Sequence, residues 1–197
     1  MICGPMSNSA RESILSSIRT HLAVSPASDV TEHEVPKIPG AIDSDPVNRF
    51  KESVESVAGH CIVTTDAADV LSRIITDLKA TRVAYSDNAP NKHDIFGFDV
   101  GVSTAQAAIA ETGTLVLDSA CERHRLVSLV PPVHIAVIKA SSIVETLSDA
   151  LALLQQKEIS PAITFITGPS RTADIELTLA IGVHGPQELY VIVDGSK

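Results

Sequence analysis

Residues 60–85 have the sequence HCIVTTDAADVLSRIITDLKATRVAY, in which two short apolar runs flank an amphipathic segment. The run Cys61–Val63 is typical of a buried strand, and Asp66 is placed to cap a helix after it. Five apolar residues at helical spacing form one face of that helix: Val70, Leu71, Ile74, Ile75 and Leu78. The segment Arg82–Tyr85 predicts the next strand. A strand, a helix and a strand in this order favour a parallel sheet.

The same alternation continues toward the end of the chain. Further strands are predicted at residues 114–117, 133–138, 162–166 and 189–193. Further helices are predicted from a Ser-x-x-Gln capping box at Ser103–Gln106 to about Ala110, from a Ser-x-x-Glu box at Ser142–Glu145, and over about 171–181. We therefore expect an α/β domain of three layers, with a mostly parallel sheet and helices on both faces.

The first 48 residues differ from the rest. Ile14, Leu15, Ile18 and Leu22 recur at helical spacing and predict an early helix. The stretch from about Val24 to Pro46 is rich in Pro, Asp and Ser and predicts a loop. We expect an N-terminal helix and extended arm over residues 1–48 and an α/β domain over 49–197. The arm would pack on the main body or on a second subunit of a homo-oligomer, and a partly disordered tail is the alternative.

Composition and charge exclude several classes of function. The 197 residues contain 15 Lys and Arg against 24 Asp and Glu, a net charge of −9, with 3% aromatic residues and no Trp. The sequence has no basic stripe and few rings for stacking bases, so no nucleic-acid partner is expected. No apolar run approaches the roughly 18 residues that span a bilayer. The N-terminus also lacks the pattern of a secretion signal, so a cytoplasmic location is expected.

The cysteines and histidines do not predict a metal or cofactor site. Cys3, Cys61 and Cys121 are far apart and form no CxxC motif, so this chain alone is not expected to hold a four-cysteine iron–sulfur cluster. The seven histidines show neither HxH nor HExxH spacing. We therefore predict no metal and no cofactor bound by the chain itself.

One candidate for chemistry is Ala110–Thr114, AETGT, between a predicted helix and a strand. Gly113 is placed to end the helix in the left-handed conformation. That role requires only the glycine, whereas Glu111 beside it is a candidate nucleophile or base. Alternatively, the Glu111 carboxylate accepts backbone N–H groups and stabilises the turn. Thr112, Gly113 and Thr114 are the predicted ligand-binding residues here.

A second candidate is Thr167–Glu176, TGPSRTADIE, which follows a predicted strand and opens a predicted helix. In α/β sheets ligands bind beyond the carboxyl ends of strands, where loops meet helix N-termini. Free N–H groups there favour an anion, and Arg171 adds a positive charge suited to a carboxylate or phosphate. An ordinary helix cap, with Arg171 paired to Asp174 or Glu176, is the alternative. The predicted ligand-binding residues are Gly168, Ser170, Arg171, Thr172 and Asp174.

Sharper motifs are absent from this second segment. It contains no P-loop and no Gly-x-Gly-x-x-Gly dinucleotide fingerprint. A nucleophile elbow would need glycine where Thr172 stands. His184 and Gly185 in the turn GVHGP at 182–186 are further ligand-binding candidates, although a loop histidine is usually structural. His134, inside an apolar strand, is predicted to be a hydrogen-bonded core residue.

Four motifs carry a resemblance to a known family: AETGT at 110–114, LVSLVPPVHI at 126–135, TGPSRTADIE at 167–176 and GVHGP at 182–186. The chain resembles the LUD-domain family, in its lactate utilisation protein C type. The similarity is dense from about Phe50 to the end, and Arg11–Arg19 is also similar to the start of that family.

The resemblance implies a fold similar to the NagB/RpiA/CoA-transferase group and a part in oxidising L-lactate to pyruvate. It also implies partner proteins that carry iron–sulfur clusters. Two functions stay open. In the first, the chain is a non-redox subunit that binds a small carboxylate or a partner through Gly168–Asp174. In the second, it is a CoA-transferase-like enzyme in which Glu111 attacks an acyl carbon.

Overall fold

The structure, a computed structural model, describes residues 8–24, 45–88, 94–121, 124–155, 160–173, 179–181 and 185–196. The chain divides into two compact units, Met1–Gly40 and Ala41–Lys197. In the first unit, helix α1 (Asn8–Val24) confirms the predicted early helix. Most of the predicted arm, residues 25–44, lies outside the described residues. The domain boundary expected at residues 48 and 49 stays a prediction.

The described part of the second unit contains three helices and eleven strands. The helices are α2 (Pro46–Ser56), α3 (Ala67–Asp77) and α4 (Leu147–Gln155). The strands are β1 (His60–Thr64), β2 (Val83–Tyr85), β3 (Val100–Thr104), β4 (Ala107–Ile109), β5 (Thr114–Asp118), β6 (Val133–Lys139), β7 (Ile143–Val144), β8 (Ile163–Thr167), β9 (Arg171–Ala173), β10 (Leu179–Ile181) and β11 (Glu188–Asp194). Short 3-10 turns lie at 95–97, 125–128 and 140–142. None of the described helices is long and apolar enough to cross a membrane.

The central sheet is parallel throughout, in the order β1-β11-β6-β3-β2. Helix α3 covers one face, where Val70 and Ile74 pack with Ile135 of β6. Helix α2 lies on the other face, where Phe50 and Val54 are fully buried. Strands buried on both faces carry near-continuous apolar runs, which explains why β6 and β11 were predicted correctly. The predicted α/β class, a mostly parallel central sheet with helices, is confirmed.

A second sheet, which the sequence analysis did not predict, has the order β7-β4-β5-β8. Strand β5 pairs antiparallel with β4 and with β8. One face shares a core with the central sheet and α2, in which Leu115 lies with Ala136 and Val191. The other face is covered by α4 through Ala150. The site described below lies where the edge of this second sheet meets the central sheet.

The helix predicted over residues 103–110 is wrong, because β3 and β4 occupy that stretch. Ser103 is buried and its hydroxyl bonds to a histidine instead of capping a helix. The Gln106 amide donates to the Thr104 carbonyl oxygen and accepts from the Asp118 N–H. The alanines are small residues buried between layers, and packing there overrides their helix propensity.

Two other predicted helices also differ from the structure. Helix α4 begins at Leu147, and Thr146 and Asp149 form its capping box, while Ile143 and Val144 form β7. The helix predicted over about 171–181 is wrong, since β9 and β10 pair antiparallel there. Residues 174–178, between these two strands, lie outside the described residues.

Helix α2 was not predicted. Asp45 caps it by accepting a hydrogen bond from the Val47 N–H at 3.1 Å, and Pro46 occupies the first helical position, where its missing N–H has no cost. The start of α2 was assigned to the preceding Pro-rich loop, because prolines are also typical of loops.

Candidate functional site

The two candidate segments meet in the second sheet. Thr114 of β5 pairs with Thr167 of β8, and their hydroxyl oxygens are 2.7 Å apart. The Thr112 hydroxyl lies 2.6 Å from that of Thr114. A chain of three hydroxyls therefore connects the 110–114 turn to the residue that precedes Gly168.

Gly113 and Gly168 allow both turns to approach the end of α2. Their φ angles are +66° and +74°, in the left-handed region that favours glycine. A Cβ atom on Gly113 would lie 2.5 Å from the Val54 backbone nitrogen, and one on Gly168 would lie 2.8 Å from the Val57 carbonyl oxygen. The predicted left-handed conformation of Gly113 is confirmed. The predicted helix C-cap is wrong, because Gly113 closes the hairpin between β4 and β5.

Groups other than the Glu111 carboxylate hold the 110–114 turn. The Ser53 hydroxyl donates to the Ala110 carbonyl oxygen at 2.8 Å. The Glu111 N–H donates to the Glu145 carbonyl oxygen at 3.1 Å, and the Glu145 side chain forms an ion pair with Arg49 of α2. The Glu111 side chain is exposed, and among the described residues nothing hydrogen-bonds to its carboxylate. The carboxylate is thus accessible, and within the described part of the chain no hydrogen bond connects it to the turn.

A cleft of about 570 Å³ lies beside the second segment. It is lined by the end of α2, the 3-10 turn before β6, strand β8 with the loop after it, and the turn before β11. The lining residues are Ser56, Val57, Ser128, Leu129, Thr164, Phe165, Ile166, Thr167, Gly168, Pro169, Ser170, Arg171, Gly185 and Pro186. This volume is within the usual range for small-molecule sites.

The cleft opens at the amino-terminal edge of the parallel sheet. Val57, Leu129 and Pro186 each lie a few residues before a parallel strand begins. The expectation that the site lies beyond the carboxyl ends of these strands is therefore wrong for the parallel sheet. The cleft does adjoin the carboxyl end of β8, which belongs to the second sheet.

Arg171 is the one charged side chain among the described residues that line the cleft. It is exposed and begins β9. The Ser170 N–H donates to the Pro186 carbonyl oxygen at 2.8 Å, which fixes the loop before Arg171 against the turn before β11. Arg171 begins a strand, so the predicted helix N-terminus is not there to contribute to anion binding. The cation available there is the guanidinium, and Thr164, Thr167 and Ser170 contribute hydroxyl-bearing residues to the same lining.

The predicted site residues fall into three groups. Gly168, Ser170, Arg171 and Gly185 line the cleft. Glu111, Thr112, Gly113 and Thr114 lie in the adjoining hairpin and do not belong to the described lining. Thr172 lies in β9, while Asp174 and His184 lie outside the described residues.

The cleft residues from α2, β8 and the 3-10 turn were not predicted. Ser128 and Leu129 belong to the LVSLVPPVHI motif, which offered a signal, whereas Ser56 and Val57 offered none because α2 was not predicted. The described residues contain no group of three His, Cys, Asp or Glu side chains that could hold a metal ion.

His134 lies in β6, fully buried. Its Nε2 atom is 2.7 Å from the Ser103 hydroxyl, and Nδ1 has no hydrogen-bond partner among the described residues. Burial lowers the pKa of His134 to about 4, so the ring is neutral at physiological pH. The prediction of a core histidine is confirmed, but only one of its two nitrogens is hydrogen-bonded within the described chain.

Comparisons with known proteins identify relatives of this chain. The profile of the LUD domain matches residues 77–193. A lactate utilization protein C from Bacillus licheniformis is 37% identical over 136 residues, which are 63% of this chain and 57% of that protein. A lactate utilization protein C from Bacillus subtilis is 40% identical over 101 residues, 48% of this chain and 42% of that protein. The chain spans about half the length of the curated relatives it matches.

A solved structure has a similar fold. The crystal structure of a DUF162 family protein from Deinococcus radiodurans aligns with a TM-score of 0.60 at 21% identity, over 76% of this chain and 96% of that one. At this identity the likeness concerns the fold alone. Because the LUD profile covers more than half of the sequence, including β8, β9 and the turn before β11, the chain belongs to the LUD domain family.

Proposed function

We propose that this chain acts in lactate utilisation as a non-redox subunit that binds a small carboxylate in the cleft. Two of its relatives named above are called lactate utilization protein C, which supports the pathway. The observation that carries the ligand class is Arg171, a single cation at an otherwise uncharged cleft in the described part of the chain. A lone guanidinium beside hydroxyls suits one anionic group on a small molecule.

The remaining cleft surface fits the rest of such a ligand. Leu129 and Phe165 are 39% and 42% exposed, so apolar surface is available for the methyl group of lactate. The hydroxyls of Thr164, Thr167 and Ser170 supply donors and acceptors for a hydroxyl or keto oxygen. The cleft thus combines a cation, apolar contacts and hydroxyls, as small hydroxy acids require.

Oxidation of lactate to pyruvate removes two electrons and two protons. We propose that partner proteins with iron–sulfur clusters accept the electrons, since three scattered cysteines are too few for a four-cysteine cluster in this chain. Affinity purification from cells grown on lactate tests this point. Co-purification of iron–sulfur proteins supports the subunit role, and their absence under conditions that retain other complexes contradicts it.

A CoA-transferase-like enzyme is the second candidate function. The observation in its favour is the exposed carboxylate of Glu111 on a tight hairpin. That carboxylate would attack the acyl carbon of an acyl-CoA and break the C–S bond. The CoA thiolate would depart as the leaving group, and the acyl group would stay on Glu111 as a mixed anhydride. Glu111 lies outside the described lining of the cleft, so we favour the subunit role.

Titration calorimetry with the Arg171→Ala variant tests carboxylate binding. We expect the affinity for L-lactate and pyruvate to fall at least about tenfold, since hydrogen bonds to a charged group contribute about 1.5–3 kcal/mol. The matched control is Arg73→Ala, which removes the same charge on α3, where Arg73 pairs with Asp69. Equal affinity in the Arg171→Ala variant and the parent would falsify the carboxylate site.

A further inference from the structure

Ser103 and His134 form a hydrogen-bonded pair on neighbouring strands of the central sheet, with His134 at the amino-terminal end of β6. His134 is the second residue of β6 and stands beside Gly101 of β3 and Leu189 of β11. Ser103, two residues after Gly101, supplies the hydroxyl that bonds to Nε2. Both side chains are buried, yet neither belongs to the carboxylate site described above.

His134 faces the layer between the two sheets. Leu189, its neighbour across the strands, and Ala136, two residues along β6, both belong to the core shared by the sheets. Side chains at alternate strand positions share a face, and laterally paired residues do too. Ile166 of β8 packs against this same core and also lines the cleft. The cleft therefore borders the same layer that the imidazole faces.

A second contact connects the pair to the cleft. A Cβ atom on Gly101 would lie 1.9 Å from the Val127 carbonyl oxygen, so the 3-10 turn at 125–128 packs directly over the position next to His134. Ser128, the next residue after Val127, is buried and lines the cleft. The strand neighbour of His134 thus packs against the turn that contributes Ser128 to the cleft wall.

The chemistry of Nδ1 selects the kind of group that can bind there. A buried polar atom without a partner costs free energy, which a ligand atom recovers by bonding to it. A neutral imidazole does not balance an anionic group, so the partner is itself neutral. If Ser103 donates to Nε2, Nδ1 carries a proton and donates; if Nε2 donates, Nδ1 accepts. A hydroxyl group satisfies either state, because it both donates and accepts, whereas a keto oxygen satisfies only one.

We propose that Ser103 and His134 form an inner subsite that binds the hydroxyl group of a small 2-hydroxy carboxylate whose carboxylate lies at Arg171. This inference rests on the proposed carboxylate site and adds the feature that distinguishes a hydroxy acid from a simple acid. Because the imidazole is fully buried, the side chains between it and the cleft shift when the ligand enters. His134 is then a binding residue, and Ser103 is a positioning residue that sets its tautomer.

Comparison of L-lactate with propionate tests the proposal, because propionate has the same carboxylate and carbon chain without the hydroxyl. By calorimetry on the full chain we expect L-lactate to bind about fivefold more tightly than propionate, as one neutral hydrogen bond predicts. In the His134→Gln and Ser103→Ala variants we expect this ratio to fall toward one, while the affinity for propionate stays that of the parent.

Nitrogen-15 NMR of the histidine rings in the parent protein gives a result even if the variants do not fold. We expect the His134 Nδ1 resonance to shift with L-lactate and not with propionate, while that of exposed His60 stays in place. Equal affinity for the two acids, or an unshifted His134 at saturating L-lactate, overturns the inner subsite. If the Arg171→Ala variant still binds both acids more weakly than the parent does, that result leaves the carboxylate site supported. If neither acid binds the parent, both proposals fail.

Discussion

Thr114 and Thr167 face each other across the β5–β8 pair, with their hydroxyl oxygens 2.7 Å apart. Thr114 is the buried member and also lies within hydrogen-bond distance of Thr112, so its hydroxyl joins the two others. This single side chain connects the hairpin that carries Glu111 with the loop that leads to Arg171. Two segments separated by about fifty residues in sequence thereby become neighbours.

Replacing Thr114 by Val should lower the free energy of unfolding by about 1 kcal/mol. Valine keeps the shape and removes a buried hydroxyl, while the exposed Thr112 and Thr167 turn their hydroxyls to water. Urea unfolding measures the loss. Thr76→Val on α3, where the hydroxyl donates to the Ser72 carbonyl oxygen at an exposed site, is the matched control and should change less. A loss in the control equal to that in Thr114→Val would contradict the role of the hydroxyl chain.

Gly113→Ala should destabilise the protein strongly, by at least about 2 kcal/mol. The position has φ +66°, and the new Cβ atom would lie 2.5 Å from the Val54 backbone nitrogen. Relieving this contact would require movement of the backbone, which costs free energy. Gly195→Ala provides the comparison, because its Cβ atom would meet nothing nearer than the Thr64 carbonyl oxygen at 3.5 Å. Thermal and urea unfolding of both variants decide the point, and similar stability of the two would show that the hairpin does not pack on α2 as described.

All six predicted strands are present, and the reason is simplest for the two that are buried on both faces. Val133–Ile138 and Leu189–Val193 are continuous apolar runs, and such runs specify a buried parallel strand with little help from the surroundings. Asp66 capped α3 as predicted, since its side chain accepts a hydrogen bond from the Asp69 N–H at 3.0 Å. Local chemistry decided these elements.

The second sheet was predicted only in part: β5 and β8 were predicted as strands, whereas β4 and β7 were missed because they depend on distant partners. Ala107–Ile109 is short and rich in small residues, a pattern that favours a helix by propensity. Its strand conformation comes from pairing with β5 and β7 and from burial under α4. Ser103 was assigned to a capping box for the same reason, although its partner, His134, lies 31 residues away.

The candidate site was predicted in part for related reasons. Gly168, Ser170 and Arg171 were selected from their residue types, and all three line the cleft. Their setting was mistaken for a helix start, because Ser and Thr before acidic residues are typical of a helix cap. The walls contributed by Val57 and Leu129 come from elements far away in sequence, which no local pattern shows.

His134 should make the stability of the fold depend on pH between about 4 and 6.5. Burial lowers its pKa to about 4, whereas the unfolded chain has the ordinary value of 6.5, so the unfolded state binds the extra proton in this interval. Stability is therefore fully present above about pH 6.5 and falls as the pH decreases to about 4, by about 3 kcal/mol in total.

The His134→Gln variant isolates this contribution, because the carboxylates titrate in both proteins alike. We expect the difference in unfolding free energy between parent and variant to shrink as the pH is lowered from 7 to 4, measured by urea denaturation at each pH. A difference that stays constant over this range would show that the imidazole is not held neutral by burial.

Replacement of Glu111 by Gln separates the two candidate functions. The side chain is exposed and its carboxylate makes no hydrogen bond among the described residues, so the variant should unfold at the same urea concentration as the parent. If the chain is a carboxylate-binding subunit, L-lactate binds the variant as it binds the parent, since Glu111 lies outside the described cleft lining. Intact-protein mass spectrometry after incubation with acyl-CoA thioesters should then find no covalent adduct on the parent. An acyl or CoA adduct on the parent that is missing from Glu111→Gln would instead establish the transferase mechanism, because only a nucleophilic carboxylate at that position forms the anhydride and thioester intermediates.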